Sequence, residues 1–312
     1  MSVWSQYRDV TVAPPSEPPI RPRFSLTADI ISFRRCTRQY GHFGNDGYVP
    51  AQAVQVFFGT IIHQVLDRCH RHYSGLMGAP ARSFPSDNDV IAYFGEVENA
   101  LKSHGIRPAS PEVRERALVV LQAFNRVEGR TLYPRVFDTE YRLETDRGDY
   151  VLRGVVDVLA ASSDPTADQD DVEIWDYKGT RFPDLSSPTM RDYEWQMAVY
   201  AELYRARAGR YPKKAVLYFL NELDVASTSR PLRAVHEVQF DDARIAQALQ
   251  EFASTAQDIM RCRAARSWPL PAQSPNKETC DICDLRWNCS ASDTRYVLRT
   301  PLLPEPSQNT RR

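Results

Sequence analysis

Two apolar segments of this 312-residue chain each contain one aspartate, and this pattern restricts most strongly how the chain can fold. Tyr150–Ala160 carries Asp157 within an apolar run, and in Val172–Lys178 the alternation of a strand puts Asp176 and Lys178 on one face. A buried carboxylate is costly unless it is paired or binds a metal, and two on neighbouring strands repel each other unless a cation lies between them. The segments therefore predict two adjacent strands that share a cation site.

The remaining chain predicts helices on either side of these strands. We predict helices over Leu26–Tyr40, Val54–Tyr73, Val90–Ser103, Pro111–Gly129, Thr189–Ala208 and Asp241–Arg266, and strands over Arg135–Glu144, Tyr150–Ala160, Val172–Lys178, Ala215–Leu220 and Ala234–Phe240. The order of these elements is typical of an α/β fold. It predicts one domain over 24–300 with a helical insertion at about 84–130, preceded by an extended proline-rich arm over 1–23 and followed by a disordered tail over 301–312.

The composition is that of an ordinary globular protein, with 42% hydrophobic and 25% charged residues. No stretch approaches the roughly 20 apolar residues of a membrane span, and the N-terminus lacks the apolar core of a secretory signal. We therefore expect a cytoplasmic protein without a membrane partner. The formal net charge is -1, so binding to nucleic acid would require basic residues gathered in one place.

Two aspartates and a lysine in this arrangement suit hydrolysis of a phosphodiester bond. A divalent cation held by Asp157 and Asp176 can activate water and neutralise charge on the phosphate, and Lys178 can contact the phosphate or the water. Oxygen ligands indicate Mg²⁺ or Mn²⁺. Asp157 alone is better explained by a salt bridge at the end of a strand, and the Asp176-x-Lys178 pair alone by the alternating charges of a solvated strand. The joint pattern, Gly154-x-x-Asp157 followed by Asp176-Tyr177-Lys178, carries the prediction.

This pattern resembles the PD-(D/E)XK nuclease superfamily and, within it, the RecB-like nucleases. Those proteins have a helix histidine, a Gly-x-x-Asp strand, an Asp-Tyr-Lys strand and a Gln-x-x-x-Tyr helix. The matching positions in this chain, in the same order, are His63, Asp157, Asp176 with Lys178, and Gln196 with Tyr200. The resemblance implies a restriction-endonuclease-like core, a central mixed sheet flanked by helices, with an N-terminal helical region.

The resemblance also implies a role for each matching residue. His63, Asp157, Asp176 and the backbone carbonyl of Tyr177 would hold the metal, and Gln196 and Tyr200, one helical turn apart, would position Lys178 or the DNA backbone. Glu140 matches an extra acidic residue of some relatives, with Asp138 and Glu144 as nearby alternatives. His63 could equally be a surface histidine bonded to a neighbour, and Gln196 and Tyr200 the polar rim of a helix packed on a sheet.

Cysteines near the C-terminus predict a second metal site. Cys280, Cys283 and Cys289 form a C-x₂-C-x₅-C run within a segment over 269–292, and Cys36 is the candidate fourth ligand. The arrangement resembles the iron–sulfur nucleases, namely the CRISPR-associated RecB-like exonuclease and the AddB subunit of bacterial helicase–nucleases, and implies a [4Fe–4S] cluster that joins the two ends of the domain. The spacing alone is equally compatible with Zn²⁺.

Three groups of basic residues could form a DNA-binding surface. They are Arg34, Arg35 and Arg38; Arg68, Arg71 and His72; and Arg261, Arg263 and Arg266, with Trp268 or Trp287 as stacking surfaces. The alternative is three separate solvated helix faces. The favoured interpretation is a Mg²⁺- or Mn²⁺-dependent deoxyribonuclease, either an exonuclease on single-stranded ends or a DNA-processing nuclease. The expected partner is DNA with single-stranded or duplex ends.

The resemblance implies a role in DNA repair or recombination, CRISPR spacer processing or phage defence. The sequence has no Walker-type phosphate loop, so ATP-driven unwinding would require a helicase partner. One alternative is a catalytically idle module that binds DNA ends or scaffolds a helicase. Another is a zinc-stapled structural protein.

Overall fold

The computed structural model describes residues 21–45, 55–168, 170–272, 275, 277–281 and 283–289. Most of the predicted arm over 1–23 and the whole predicted tail over 301–312 lie outside the described residues. Arg23, which we assigned to the arm, belongs to a strand that the sequence analysis missed. This strand is only three residues long, too short for its alternation to be recognised.

The described residues form six strands of one sheet and helices on both of its faces. The strands are β1 (Arg23–Ser25), β2 (Val136–Asp146), β3 (Val151–Ala161), β4 (Val172–Lys178), β5 (Lys214–Phe219) and β6 (Val235–Val238). The α-helices are α1 (Ser32–Arg35), α2 (Thr37–Asn45), α3 (Gln55–Tyr73), α4 (Asp87–Ser103), α5 (Pro111–Val127), α6 (Gly129–Leu132), α7 (Pro188–Ala208), α8 (Asp242–Ala265) and α9 (Lys277–Asp281). The predicted strands and most predicted helices are thus confirmed, with small differences at their ends.

The predicted helix Leu26–Tyr40 is wrong as a single helix. A π-helical segment, Leu26–Ile31, leads into α1, and the chain then becomes extended at Cys36 before α2 begins. Ser25 caps the π-helical segment by accepting a hydrogen bond from the Ala28 backbone N–H. Because of this break, Cys36 lies between two helices and belongs to neither.

The sheet is mixed, as predicted, and its strand order is β1-β3-β4-β5-β6 with β2 paired to β3. β2 runs antiparallel along most of one edge of β3. On the other edge, β1 pairs with residues 151–153 and β4 with residues 158–161. Among the described residues, Gly154 to Asp157 therefore have no strand partner on that edge, and the functional residues gather around this gap.

Each face of the sheet packs against its own set of helices. Val156 and Leu217 face a core shared with α7 and α8, and Trp175 and Tyr218 face a core shared with α3, α4 and α5. The helical insertion predicted at about 84–130 corresponds to α4 and α5, which pack on α3 and build the second core. The fold is accordingly α/β, with the sheet between two helical layers. None of the helices in the described part of the chain is both long and apolar enough to cross a membrane.

Candidate active site

Three adjacent strands place carboxylates side by side. The pairs Thr139↔Val158 and Tyr141↔Val156 leave Glu140 opposite Asp157. The β3–β4 ladder ends at Val158↔Trp175, so that the next residues of these two strands are Asp157 and Asp176. There the Asp157 carboxylate takes the place of a strand partner, because its Oδ2 accepts a hydrogen bond of 2.6 Å from the Tyr177 backbone N–H.

Glu140 adopts a backbone conformation that is unusual for a strand residue. Its φ is +50°, in the left-handed region that non-glycine residues rarely occupy, and such a residue costs on the order of 1–3 kcal/mol. Its carboxylate and donor atoms of His63 and Asp157 all lie within 4.8 Å of one another. The alternatives lie outside this group, because Asp138 bonds the Thr139 backbone N–H and Glu144 pairs with Arg23.

His63 reaches the carboxylates from α3. Its Nδ1 lies 3.3 Å from Asp157 Oδ1. Burial alone would lower the pKa of His63, but the charge of Asp157 and its hydrogen bond, helped by Asp176 and Glu140, outweigh burial and raise this pKa to about 9. Burial would likewise raise the pKa of Asp157, yet His63 and the Tyr177 N–H hold it below its usual range. His63 and Asp157 thus form a charged pair.

Asp176 is buried, with 4% of its surface exposed, and lacks a full set of hydrogen bonds. Lys178 Nζ lies 2.6 Å from Asp176 Oδ2, but the two groups are not aligned as a hydrogen bond, and Oδ2 has no hydrogen-bond partner among the described residues. Burial and the nearby Asp157 charge raise the pKa of Asp176, although Lys178 opposes them. Asp176 therefore has one buried oxygen that pairs with Lys178 without an aligned hydrogen bond, and it also lies near a second carboxylate that repels it. A divalent cation would relieve this repulsion.

Helix α7 supplies the side chain that connects these groups. Gln196 accepts a hydrogen bond of 2.9 Å from Lys178 Nζ, and its amide nitrogen donates to Asp176 Oδ1 at 3.3 Å and to the Tyr200 hydroxyl at 3.0 Å. The helix comes this close because of Gly154. A Cβ at that position would lie 2.7 Å from Tyr200 Cε1. The glycine of Gly154-x-x-Asp157 thus makes room for α7.

These side chains line one open groove with a volume of about 920 Å³. Its wall also includes Ile31, Arg35, Gly59, Arg68, Arg71, Arg142 and Tyr193. At Gly59, no described atom outside its own helical turn lies within 4 Å of a Cβ built there. The space in front of it belongs to the groove. Arg142 was not among the predicted site residues, although it lies two residues after Glu140 and hence on the same face of β2.

Comparison with known proteins identifies the family. Residues 25–290 match the PD-(D/E)XK nuclease superfamily. The chain belongs to this superfamily. Its members are metal-dependent hydrolases of phosphodiester bonds, so the predicted superfamily and reaction class are confirmed, whereas the match does not distinguish the RecB-like branch. A search of curated proteins gives no match.

One of two solved structures with a similar chain supports the fold. A crystal structure from Eubacterium rectale, described as "Putative exonuclease", has a TM-score of 0.50 and 13% sequence identity, and the match covers 89% of this chain and 90% of that chain. A second crystal structure, named SSO0001, has a TM-score of 0.33 and 16% identity over 84% of this chain and 95% of that chain. The first structure bears on the fold alone, because its sequence identity is low, and the second, with a TM-score below 0.5, carries no argument.

The donor set fits the divalent metal that PD-(D/E)XK nucleases use. Three carboxylates and an imidazole converge on one groove, and a buried oxygen of Asp176 has no hydrogen-bond partner among the described residues. Hard cations such as Mg²⁺ and Mn²⁺ prefer carboxylate oxygens. A cation there would offset the repulsion between Asp157 and Asp176, which burial strengthens.

The four cysteines line one small cavity of about 20 Å³, although they come from opposite ends of the sequence. Cys36 meets Cys280, Cys283 and Cys289 there. Gln39 Nε2 donates to the Thr279 carbonyl at 3.3 Å and connects the two segments. Within the described residues, however, no three of these sulfurs lie within 4.8 Å of one another. The predicted ligands share a cavity without forming a compact single-ion site.

The basic groups predicted as a DNA-binding surface do not form one surface. Arg35, Arg68 and Arg71 line the groove. Arg34 instead pairs with Glu251, and His72 is buried against Tyr93. The prediction of one convergent surface is therefore wrong for Arg34 and His72, because their side chains pack against other neighbours.

The two candidate stacking residues have different surroundings. Trp268 packs against Phe33 and Tyr40 in the core beside α8, so the prediction of a stacking surface there is wrong. Trp287 is 44% exposed, with the Arg286 guanidinium carbon 4.8 Å from its ring centroid.

Proposed function

We propose that this chain is a Mg²⁺- or Mn²⁺-dependent deoxyribonuclease that acts as an exonuclease on single-stranded ends. The carrying observation is the convergence of Glu140, Asp157 and Asp176 from three adjacent strands beside Lys178, with one oxygen of Asp176 lacking a hydrogen bond. A structural salt bridge needs one acid and one base, whereas this group has an excess of acid that a cation would balance. The groove volume of about 920 Å³ suits a few nucleotides of one strand.

The side chains of the groove would have different roles in phosphodiester hydrolysis. Asp157 and Asp176 would hold the metal, with Glu140, His63 and the Tyr177 carbonyl as further ligands. The bound metal supplies an activated water and neutralises charge on the phosphate. Lys178, fixed by Gln196, presents its ammonium group to a phosphate oxygen on which negative charge grows as the bond breaks. Tyr200 holds the amide of Gln196 and so fixes the direction of Lys178.

We also propose that Cys36, Cys280, Cys283 and Cys289 hold a [4Fe–4S] cluster. Their shared cavity supports a common ligand, and their sulfur spacing argues against a single zinc ion. Tetrahedral zinc with bonds of about 2.3 Å requires sulfurs roughly 3.8 Å apart, whereas a cluster of several atoms bridges sulfurs that are farther apart. The cluster would join the N-terminal helices to the C-terminal segment, a structural role.

The biological setting remains part of the proposal. The resemblance to RecB-like nucleases favours DNA repair or recombination, CRISPR spacer processing or phage defence, in the cytoplasm. A helicase or another defence or repair protein is the expected partner, because the sequence contains no Walker-type phosphate loop.

The test is cleavage of end-labelled single- and double-stranded DNA by anaerobically purified protein with Mg²⁺ or Mn²⁺. We expect metal-dependent shortening of the labelled strand, abolished in Lys178→Ala and in Asp176→Ala. The product ladder distinguishes exonuclease from endonuclease cleavage. Binding of DNA ends without cleavage would instead support the catalytically idle module.

The cysteine site is tested on the same preparation by iron, sulfide and zinc content. The proposal predicts a brown protein with about four iron atoms per chain, and a loss of iron in Cys283→Ser. A colourless protein with one zinc per chain would refute the cluster and leave the nuclease proposal unaffected.

A further inference from the structure

A second cavity continues the active-site groove along the sheet. It has a volume of about 790 Å³ and shares Ser25, Arg142 and Val155 with the groove. Its other lining residues are Arg23, Leu143, Glu144, Arg153, Gly154 and Arg207. We call this cavity the arginine trough. It contains four arginines against one glutamate, so its charge is strongly positive although the whole chain is almost neutral.

The trough begins at the candidate catalytic carboxylates and leads away from them along β3. Asp157, Val155 and Arg153 occupy alternate positions and share one face of the strand, and Arg142 lies opposite Val155 on β2. Each step of two residues advances about 6.8 Å. Arg142 is thus about one step from Asp157, and Arg153 about two.

The charges of the trough are not neutralised by the protein. Arg142, Arg153 and Arg207 form no ion pair with a carboxylate in the part of the chain that the structure describes, and only Arg23 is paired, with Glu144. Neighbouring unpaired guanidinium groups repel one another, which destabilises the fold unless an anion binds between them. The arrangement suits phosphate oxygens, which guanidinium groups bind in a bidentate manner.

The α3 side of the groove differs in this respect. Arg71 lies 2.9 Å from an Asp67 carboxylate oxygen, and Arg68 lies 3.6 Å from one of Glu96. These arginines already have acidic partners and attract a polyanion less strongly. The difference in charge decides which way a bound strand leaves the groove.

We propose that the arginine trough binds the phosphates of the DNA strand beyond the cleavage position, so that the strand runs from Asp157 past Arg142 to Arg153 and Arg207. Val155, 39% exposed between them, offers an apolar contact to a base. This inference rests on the proposed nuclease function, since it takes the carboxylates as the point of cleavage. The proposal adds the direction in which the DNA strand would cross the sheet.

The test is binding of fluorescent oligothymidylates, measured by anisotropy with a chelator present so that no metal-dependent cleavage occurs. Arg153→Ala/Arg207→Ala is compared with Arg130→Ala, which removes an exposed arginine of α6 outside both cavities. Each lost phosphate contact should reduce the slope of log affinity against log salt by about 0.7, hence by about 1.4 in the double variant. Arg130→Ala should keep the wild-type slope.

Oligonucleotide length gives a second readout. A trinucleotide that fills only the groove should bind wild type and the double variant equally, whereas a 12-nucleotide strand should lose roughly a hundredfold in affinity in the double variant, on the order of tenfold per arginine. Thermal unfolding is expected to be unchanged or to shift to a slightly higher temperature, because these arginines make no ion pairs in the described part of the chain and repel one another.

An unchanged slope in the double variant, or an equal loss in Arg130→Ala, would overturn the trough. Because the chelator prevents metal-dependent cleavage, the binding experiment tests the trough independently of the proposed nuclease activity. A protein that cleaves DNA with an unchanged slope remains a nuclease without the trough. A reduced slope in a protein that never cleaves supports the trough and rejects the catalytic proposal.

Discussion

Strand β4 carries two buried carboxylates three residues apart, and their surroundings are opposite. Glu173 is fully buried, and it accepts hydrogen bonds from the Ser163 N–H and hydroxyl at 2.6 Å each, from Trp175 Nε1 at 3.0 Å and from Arg135 at 3.2 Å. Asp176 is almost as buried and lies 2.6 Å from Lys178 Nζ, but among the described residues it accepts only one aligned hydrogen bond, from Gln196. The two carboxylates are therefore nearly equally buried, and they differ in the number of hydrogen bonds that they accept.

The two carboxyl groups also differ in their acidity. Burial alone would raise the pKa of both groups. At Glu173 the hydrogen bonds from Ser163, Trp175 and Arg135 overcome burial and hold the pKa below its usual range. At Asp176 the neighbouring Asp157 adds to burial, and the pKa is raised. A satisfied buried acid stabilises the fold, whereas an unsatisfied one beside a like charge indicates a binding site.

The largest expected effect is on cleavage by Asp176→Asn. This substitution removes a proposed metal ligand, and we expect cleavage to fall by about a thousandfold or more, equivalent to about 4 kcal/mol in the barrier. It also removes a charge that Asp157 repels, so the free energy of unfolding should stay the same or rise by about 1 kcal/mol. Labelled-strand cleavage and urea unfolding measure the two effects. If Asp176→Asn lost stability together with cleavage, Asp176 would stabilise the fold as Glu173 does, and the contrast between the two carboxylates would be wrong.

The second effect is on stability, in Glu173→Ala. Removing this carboxylate takes the acceptor from the buried indole N–H of Trp175 and the acidic partner from the half-buried Arg135, and we expect the free energy of unfolding to fall by about 3–5 kcal/mol. Cleavage per folded molecule should remain at the wild-type level. Glu237→Ala is the matched control, since Glu237 pairs with Lys214 near Glu173 but is exposed, and it should change stability by less than about 0.5 kcal/mol. Loss of cleavage in folded Glu173→Ala would show that this acid is also functional.

Gly154→Ala is expected to reduce stability and cleavage together, at a smaller magnitude. The new Cβ would overlap Tyr200, and overpacking of this kind costs about 1–3 kcal/mol. Because Tyr200 holds Gln196, the shift would disturb the hydrogen bond that Asp176 accepts. Gly148→Ala serves as a contrast, since no atom lies near its Cβ position and its φ of +85° makes the cost one of backbone strain far from the groove. Full cleavage activity of Gly154→Ala would show that the close packing of α7 at this position is not required for cleavage.

The smallest effect is a dependence of stability on pH. Glu173 has a lowered pKa in the folded state, so its stabilisation is present above the unfolded value of about 4.3 and is lost as the pH falls through the folded value. The difference in unfolding free energy between wild type and Glu173→Gln should thus be constant near neutral pH and narrow below about pH 4. Urea unfolding from pH 3 to 7 measures it. A difference that widens in acid would show that Glu173 is protonated in the fold.

Much of the fold could be predicted because its elements are locally encoded. The alternation in Val172–Lys178 and the helical repeat of Thr189–Ala208 gave elements that the structure reproduces within one residue. The break at Cys36 was missed, because an extended residue between two short helices has no periodic signal of its own. The site residues chosen by resemblance lie in one groove, and their roles stay predictions until cleavage is measured.

The sequence by itself determined which residues could face one another. Alternation placed Asp176 and Lys178 on one side of β4, and helical spacing placed Gln196 and Tyr200 on one side of α7. The tertiary structure decided which carboxylate had its hydrogen bonds and which did not. It also decided that Glu140 and Arg142 line the groove and that Arg153 lines the arginine trough. The physical reason is that hydrogen-bond partners such as Arg135 of Glu173 are 38 residues away in sequence and meet only when the sheet closes.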